Sequence, residues 1–430
     1  MVDYVKIIAD KINTGIPVAL YTVGGDTFSV VRALKRRYGV KPVAVCDRDT
    51  AKQGRAYRGL DEIPVMSFED TNSSYPNAEY FISSMDYRYD IMGELVHGGD
   101  LPPERIINWE PVEKRISCKF WEKLVCAKHD GTLSYCWEVG SPQIPIIDGI
   151  DSAVSEVISL RDDLISGAKG LNELCDKCGY VTPSWYPISK KSWWINYFGQ
   201  GKCNYKCKYC SSPVHETVNT DAGDDSPPLK DVIDALSKAG MLSDFYSIIL
   251  STSGEPSLHP QRKSFYDAFD GYSLVVNTNG SVYDEDLFSL MQTKMVRLIV
   301  SIDAGHRETF KTIKGVDCIY KVIENMCKYQ QSAIGMVVPK YVVTPGINDD
   351  ETNIDAFCEI CRELNVPYAI AAYDMFSARP IPDRSTDMLM RLESNLENMG
   401  ILCAPYTECY THEYCTTLGE VFSPKNDKES

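Results

Sequence analysis

The first 115 residues carry apolar positions in two different spacings. An apolar run at 17–21 ends in a turn with Gly24 and Gly25, and residues 28, 31, 34 and 38 then repeat at helical spacing. The opposite face of that stretch is basic, as in an amphipathic helix. Further apolar runs that predict strands occur at 42–46, 63–66, 79–83 and 105–108. Residues 1–115 are therefore predicted to form a small α/β domain.

The order strand, glycine turn, helix, strand and terminal acid resembles a nucleotide-binding, Rossmann-like unit. Asp47 supplies the terminal acid, but Gly24 and Gly25 are the only glycines in the turn, so the GxGxxG fingerprint is incomplete. Two interpretations therefore remain. In the first, the domain binds a nucleotide or a sugar nucleotide. In the second, it is a docking or substrate-recognition domain, and its glycines serve only to make a tight turn.

The pattern changes again along the rest of the chain. Residues 116–190 form a connector with five cysteines and a long amphipathic helix near 150–167. From residue 191, strand-like and helical patterns alternate, with six strands at 194–198, 246–250, 274–277, 296–302, 336–343 and 368–373. This alternation predicts a parallel sheet curled into a partial (β/α)6 barrel over 191–376, with its chemistry at the carboxyl ends of the strands. Residues 377–430 are predicted to form a cysteine-containing C-terminal cap.

Composition narrows the class of protein. The chain has 60 acidic and 44 basic residues and a net charge of -16, so no nucleic-acid-binding face is expected. No apolar run approaches the roughly 20 residues of a membrane span. The N-terminus also lacks the basic and apolar regions of a signal peptide. Sixteen cysteines in such a chain indicate reduced thiols, some of them metal ligands, in a cytoplasmic protein.

Three of these cysteines lie in a loop directly after the first predicted barrel strand. Cys203, Cys207 and Cys210 have the spacing CxxxCxxC on a single loop. Three thiolates on one loop can each hold one iron of a [4Fe–4S] cube. The fourth iron then has no protein ligand and can bind a small molecule. On spacing alone, a zinc site is also compatible with this triplet.

The triplet, with the aromatic Tyr209 directly before Cys210, resembles the CxxxCxΦC loop of the radical S-adenosylmethionine (radical SAM) enzymes. Ser253-Gly254-Glu255-Pro256 is similar to the GGEP segment of that superfamily, with serine in place of its first glycine. Ser301 and Asp303 match its Ser-x-Asp pattern. Other polar residues typical of these enzymes end neighbouring strands: Asn277, Asn279, Lys340 and Thr344. The resemblance covers about residues 193–375.

This resemblance implies a chemistry. The open iron of a [4Fe–4S] cluster on Cys203, Cys207 and Cys210 would chelate S-adenosylmethionine. An electron from a reductase such as flavodoxin or ferredoxin would then generate a 5′-deoxyadenosyl radical, which takes hydrogen from a substrate carbon. Cofactor binding would fall to residues at the strand ends: Gly254, Glu255, Pro256, Asn277, Asn279, Ser301, Asp303, Lys340 and Thr344. Each motif also has a local interpretation, since Gly-Glu-Pro and Asn-Gly make turns and Ser301 or Asp303 can cap a helix.

A second metal site is expected from another cysteine pair. Cys175 and Cys178 have the CxxC spacing with which two thiolates bind one metal. The resemblance implies an auxiliary [4Fe–4S] cluster here, and a zinc knuckle is the alternative. One tail cysteine is also a candidate catalytic hydrogen donor to a substrate radical. The two missing ligands of the second site would come from four candidates: Cys136 in the connector, and Cys403, Cys409 and Cys415 in the tail.

The other cysteines are predicted to be packing residues. Cys358 and Cys361 lie at i, i+3 in a helical pattern with apolar neighbours, which favours a place in the core. The same interpretation applies to Cys46, Cys118, Cys126, Cys318 and Cys327.

The substrate is the least defined part of the prediction. The N-terminal domain looks like small Rossmann domains found with sugar-nucleotide and glycan-modifying enzymes. This favours epimerisation, dehydration or a similar change on a sugar, a polyol or a nucleotide-linked or glycan unit. A maturase that modifies a ribosomal peptide is the alternative. A non-enzymatic iron–sulfur or zinc scaffold protein is the second alternative.

Overall fold

The computed structural model describes residues 3–84, 87–98, 101–128, 130–136, 142–166, 181–188, 194–197, 202–210, 227–242, 247–252, 254–259, 262–269, 272–374 and 381–405. These residues form a four-stranded sheet, a ten-stranded sheet and a two-stranded ribbon. Most strand pairs are parallel, with helices between them. The predicted α/β class is therefore confirmed.

The N-terminal sheet is parallel throughout. Its strands are β1 (Val18–Tyr21), β2 (Ala44–Cys46), β3 (Val65–Met66) and β4 (Glu79–Ile82). Their spatial order, β3-β2-β1-β4, matches the first four strands of a doubly wound nucleotide-binding fold. The helices of this part are α1 (Tyr4–Asn13), α2 (Gly25–Ala33), α3 (Phe68–Ser74) and α4 (Arg88–His97). The strand predicted at 105–108 is reduced to a single bridge between Tyr80 and Ile106, beside a 3-10 turn.

The chain then forms a ribbon and the long sheet. The ribbon pairs β5 (Val112–Cys118) with β9 (Val181–Pro187) in antiparallel orientation. The long sheet contains β6 (Leu124–Ala127), β7 (Thr132–Ser134), β8 (Ile144–Pro145), β10 (Trp194–Tyr197), β11 (Ser247–Thr252), β12 (Ser273–Thr278), β13 (Val296–Ser301), β14 (Met336–Val343), β15 (Tyr368–Tyr373) and β16 (Leu402–Pro405). The remaining helices are α5 (Lys119–Lys123), α6 (Ile150–Ile165), α7 (Leu229–Lys238), α8 (Arg262–Ala268), α9 (Glu285–Thr293), α10 (Arg307–Lys314), α11 (Ile319–Gln330), α12 (Glu351–Glu363) and α13 (Asp383–Asn398).

Strands β10 to β16 lie side by side in chain order and are all parallel. The apolar residues of β12 to β15 are buried because helices pack against the sheet, as continuous apolar runs predict. Over the described residues the strand order is open rather than closed, which fits a partial barrel. Four segments outside the predicted six strands also belong to the sheet. Strand β6 pairs in parallel with β10, β7 and β8 follow β6 in antiparallel pairs, and β16 pairs with β15. Because all carboxyl ends of parallel strands share one edge, residues that follow them meet there.

The N-terminal domain packs against the opposite edge, at the amino ends of β13 to β15. Asp26 forms an ion pair with Arg297 at 2.6 Å, and Phe28 stacks on Tyr368 with ring centroids 5.9 Å apart. A Cβ atom on Gly25 would lie only 2.6 Å from the Tyr368 ring, so the glycine permits this close approach. The structure thus gives Gly25 a packing role.

Candidate metal and cofactor site

The cysteine loop follows β10 at the carboxyl edge of the long sheet. Backbone hydrogen bonds attach it to its surroundings: Lys206 N donates to Lys314 O (3.0 Å), and Lys208 N donates to Ile313 O (2.9 Å). On the other side, Glu255 N donates to Lys202 O (2.9 Å). The loop is therefore held between the end of α10 and the segment that follows β11.

The three thiols of this loop share one electrostatic environment. Cys203 and Cys207 are half-buried, and Cys210 is exposed. Burial raises the pKa of both Cys203 and Cys207, the latter to about 11, and the neighbouring cysteines raise both values further. The Lys314 ammonium opposes this rise in the pKa of Cys207. Neighbouring thiolates repel, so a cation that binds them removes an unfavourable interaction.

The residues of the loop fit an iron–sulfur cluster better than a closed zinc site. Three thiols are available on the loop, which matches the three irons that a cube with one open iron requires. Among the described residues, no three Cys, His, Asp or Glu side chains are already gathered closely enough to hold a metal. The two half-buried thiols are placed to shield a cluster partly from solvent.

The Gly254-Glu255-Pro256 segment lies next to this loop. Glu255 is 2% exposed, and its carboxylate accepts hydrogen bonds from Asn279 N (2.6 Å), Thr278 Oγ1 (2.6 Å) and Ser257 Oγ (2.7 Å). Burial raises the pKa of Glu255, and these hydrogen bonds oppose the rise. In the structure, Glu255 thus ties the end of β11 to the end of β12.

The end of β12 also reaches the cysteine loop. Asn279 Nδ2 donates to Asn204 Oδ1 (2.9 Å) and lies 3.9 Å from Cys203 Sγ. Asn277 is half-buried on the same strand. Of the two predicted asparagines, Asn279 is therefore the one that contacts the loop.

Asp303, after β13, has a different environment from the one expected of a cofactor ligand. It is fully buried, and its φ of 56° lies in the left-handed region. Its Oδ2 accepts hydrogen bonds from the Tyr209 hydroxyl and the Lys314 ammonium, and its Oδ1 accepts one from Val342 N (2.8 Å). The carboxylate is thus occupied by groups of the chain itself.

The remaining predicted residues lie on β13 and β14. Ser301, the last residue of β13, is the register partner of Lys340 within β14, and both are half-buried. Thr344 directly follows β14, and its backbone N donates to Asn348 Oδ1 (2.7 Å). The Thr344 hydroxyl is buried without a hydrogen-bond partner in the described structure. An unpaired buried hydroxyl at this edge can bind a polar ligand group.

Two residues outside the predicted set of cofactor-binding residues complete this edge. Lys314 is 1% exposed and contacts both Asp303 and Tyr209. Asn348 is fully buried and donates from Nδ2 to Asp303 O and Val342 O, both at 2.8 Å. The burial of Lys314 could have been predicted from its spacing, because it lies four residues after Phe310 on the apolar face of α10.

The second predicted metal site is only partly within the described residues. Cys175, Cys178, Cys409 and Cys415 lie outside them. Cys136 is half-buried and packs against a small core that contains Cys118 and Cys126. Cys403 is buried on β16 opposite Ala369, near the amino end of β15, so the structure does not bring it to the cysteine loop.

The prediction that Cys358 and Cys361 are core residues is confirmed, because both are fully buried on α12. The same prediction is wrong for Cys327, which is exposed. The buried face of α11 contains Val322, Met326 and Tyr329, and Cys327 lies off that face.

A loop with three thiols follows β10, and polar groups lie at the ends of the next parallel strands, so this edge is a candidate site for a cysteine-ligated cofactor. The family model described as "Radical SAM superfamily" matches residues 197–358, which include this loop and the strand-end motifs. Residues 197–358 of the chain are therefore similar to the radical SAM superfamily of enzymes. No helix in the described part of the chain is long and apolar enough to cross a bilayer.

Known relatives match only part of the chain. A "UPF0026 protein" of Helicobacter pylori is 20% identical over 209 residues, which are 46% of this chain and 67% of the relative. A GTP 3′,8-cyclase of Stenotrophomonas maltophilia is 28% identical over 153 residues, which are 35% of this chain and 45% of the cyclase. The chain thus spans less than half the length of that cyclase.

Among solved structures, SuiB of Streptococcus suis bound to S-adenosylmethionine is 12% identical, with a TM-score of 0.39. The match covers 60% of this chain and 59% of SuiB. At this TM-score the similarity is too low to transfer a ligand or a substrate.

Proposed function

We propose that Cys203, Cys207 and Cys210 hold a [4Fe–4S] cluster and that the chain uses it with S-adenosylmethionine to abstract hydrogen from a substrate carbon. When bound, the cluster supplies the electron that cleaves S-adenosylmethionine to a 5′-deoxyadenosyl radical. The observation that carries the proposal is the three-thiol loop at the carboxyl edge of the parallel sheet, within the residues that match the superfamily. This match also lowers the support for a non-enzymatic scaffold.

The residues around the loop are proposed to bind and orient S-adenosylmethionine. Asn279 contacts the loop, and the unpaired Thr344 hydroxyl can donate to a carboxylate or ribose oxygen. Ser301 and Lys340 offer polar groups beside it. Gly254, Glu255 and Pro256 are proposed to present their backbone to the cofactor amino group, with the Glu255 carboxylate fixing that segment.

We further propose a small sugar, polyol or nucleotide-linked unit as the substrate. Two observations support a nucleotide-linked unit. The N-terminal sheet has the strand order of nucleotide-binding folds, and one relative is named for a cyclisation of GTP. A flavodoxin or ferredoxin is the proposed electron donor.

A second metal site is proposed in the segment before β10. Val181, three residues after Cys178, pairs with Cys118 across the ribbon. Val181 and Cys136 pack on the same small core as Cys118 and Cys126. These contacts favour Cys136 over Cys403 as a partner of Cys175 and Cys178. The metal is proposed to be a [4Fe–4S] cluster, with zinc as the alternative.

The decisive experiment measures 5′-deoxyadenosine. The full chain is reconstituted with iron and sulfide without oxygen, then mixed with dithionite and S-adenosylmethionine. Wild type is expected to release 5′-deoxyadenosine, and a Cys203→Ala/Cys207→Ala/Cys210→Ala variant is expected to release none. Equal yields from the two proteins would refute the proposed function. Metal content of the same variant tests the second site: about four irons per chain indicate a second cluster, zinc indicates the alternative, and no metal refutes it.

A further inference from the structure

The Lys314 ammonium lies in the interior of the protein, beside the cysteine loop. Lys314 is 1% exposed, and Asp303, its ion-pair partner, is 0% exposed. Transfer of an ammonium group from water to such a site is costly unless the charge is paired and hydrogen-bonded. Both conditions are met, because Lys314 donates to the Asp303 carboxylate and to the Tyr209 hydroxyl.

The third member of this network, Tyr209, belongs to the cysteine loop itself. It lies between Cys207 and Cys210, and its hydroxyl donates to Asp303 while it accepts from Lys314 Nζ at 2.6 Å. The Lys314 ammonium also lies 5.1 Å from the centre of the Tyr209 ring. A chain of three hydrogen-bonded groups thus links the loop to the end of β13.

The backbone reinforces this link from the same helix. Lys314 O and Ile313 O, at the end of α10, accept hydrogen bonds from the loop residues Lys206 and Lys208. Gly315 packs against Lys206, where an added Cβ would lie 3.1 Å from the Lys206 Cβ. The end of α10 therefore fixes both sides of Cys207, and the side chain of Lys314 brings a positive charge to the same place.

The Lys314 ammonium is hydrogen-bonded to Tyr209, two residues from Cys207, so its positive charge acts on the charge of a cluster bound to the loop. Reduction adds one electron to a group that is already ligated by three thiolates, and a neighbouring cation favours the reduced form. The Asp303 carboxylate acts in the opposite sense, but its Oδ2 is bound by both Lys314 and Tyr209. In a partly buried site these charges are poorly screened by solvent.

We propose that the Tyr209–Lys314–Asp303 network positions the cysteine loop and that Lys314 raises the reduction potential of the cluster. Lys314 is thus a positioning and tuning residue and does not itself contact substrate. This inference rests on the proposed function, since it requires a cluster on Cys203, Cys207 and Cys210.

The test is a redox titration of the reconstituted full chain, monitored by electron paramagnetic resonance without S-adenosylmethionine. For Lys314→Gln, the ratio of reduced to oxidised cluster at a fixed potential is expected to fall at least tenfold, equivalent to about 59 mV for one electron. Lys314→Arg keeps the charge and should restore the wild-type midpoint. Lys311→Gln, an exposed position on the same helix, is the matched control and should leave the midpoint unchanged.

Two further variants keep the proposal testable if Lys314→Gln does not fold. The double variant Asp303→Asn/Lys314→Gln leaves no unpaired buried charge. Its midpoint potential should be lower than that of wild type. Where Lys314→Gln can also be measured, the double variant should lie between wild type and Lys314→Gln. Tyr209→Phe removes one hydroxyl, and its cluster should lose iron to a chelator several times faster than wild type. A midpoint in Lys314→Gln or the double variant equal to that of Lys311→Gln refutes the tuning role. Unchanged iron loss in Tyr209→Phe refutes the positioning role. A wild type that forms no cluster refutes the proposed function instead.

Discussion

Gly25 offers a direct test of the contact between the N-terminal domain and the long sheet. In Gly25→Ala, the new Cβ would lie 2.6 Å from two atoms of the Tyr368 side chain. Tyr368 is buried and stacked on Phe28, so its ring cannot swing into solvent. Overpacking of this kind costs about 1–3 kcal/mol. We therefore expect Gly25→Ala to destabilise the protein by that amount.

Gly24 provides the matched control. A Cβ there would meet its nearest neighbour, Thr22 Oγ1, at an ordinary 3.8 Å, and its backbone is extended, with φ at -166°. Gly24→Ala should therefore change stability by less than about 0.5 kcal/mol. Urea denaturation measures both variants. With a slope of about 3 kcal/mol per molar, Gly25→Ala should lower the midpoint by about 0.3–1 M.

Relief of the clash checks the cause. In the background of Tyr368→Leu the ring is absent, so Gly25→Ala should cost much less than it does in wild type, and the coupling energy should exceed about 0.5 kcal/mol. Equal costs for Gly25→Ala in the two backgrounds, or equal costs for the two glycine variants, would refute the packing role of Gly25. A nucleotide-binding role for the turn would then regain support.

Three other predictions concern charge and the cofactor edge. Burial, and to a smaller extent the negative charge of Glu397, raises the pKa of Glu393 from 4.5 to about 7. The contribution of Glu393 to the free energy of unfolding is therefore favourable at low pH and is lost as the pH rises from about 4.5 through 7. Glu393→Gln should therefore stabilise the protein by about 1–3 kcal/mol at pH 8 and hardly at pH 4, as measured by urea midpoints; equal effects would contradict this. Arg297→Met leaves Asp26 without its cation and should cost about 3 kcal/mol, whereas a double variant that also carries Asp26→Asn should cost less. Thr344→Val should leave the stability of the free protein unchanged but weaken S-adenosylmethionine binding to the reconstituted protein about tenfold in equilibrium dialysis; unchanged affinity would exclude a hydroxyl contact.

The sequence allowed most of the strands and the position of the cysteine loop to be predicted. The apolar runs that became β12 to β15 are bounded by turn residues, and the chemistry-bearing residues follow them directly. The pairing of β6 with β10 could not be read in the same way. Residues 124–127 and 194–197 are far apart in the chain, and an apolar run does not specify its neighbour in a sheet.

The environment of side chains was harder to predict than their place on an element. Asp303 was expected at the cofactor, and no pattern in the sequence indicated that its carboxylate would also accept a hydrogen bond from a buried Lys314. Lys314 follows Phe310 and Ile313 on one helical face, but a lysine there ordinarily indicates solvent. Only the presence of a buried carboxylate at the facing strand end makes that position favourable, and a single sequence does not show this pairing.

The parallel pairing of β6 with β10 has a consequence for how the protein can be divided. The family match begins at residue 197, and the change of pattern near residue 191 suggests a natural cut there. A chain that began at residue 191 would lose β6, and β10 would become an open edge with unpaired backbone groups. The strand that leads into the cysteine loop would then be a site for aggregation. The sheet that carries the cysteine loop therefore extends back at least to β6, well before residue 197, where the family match begins.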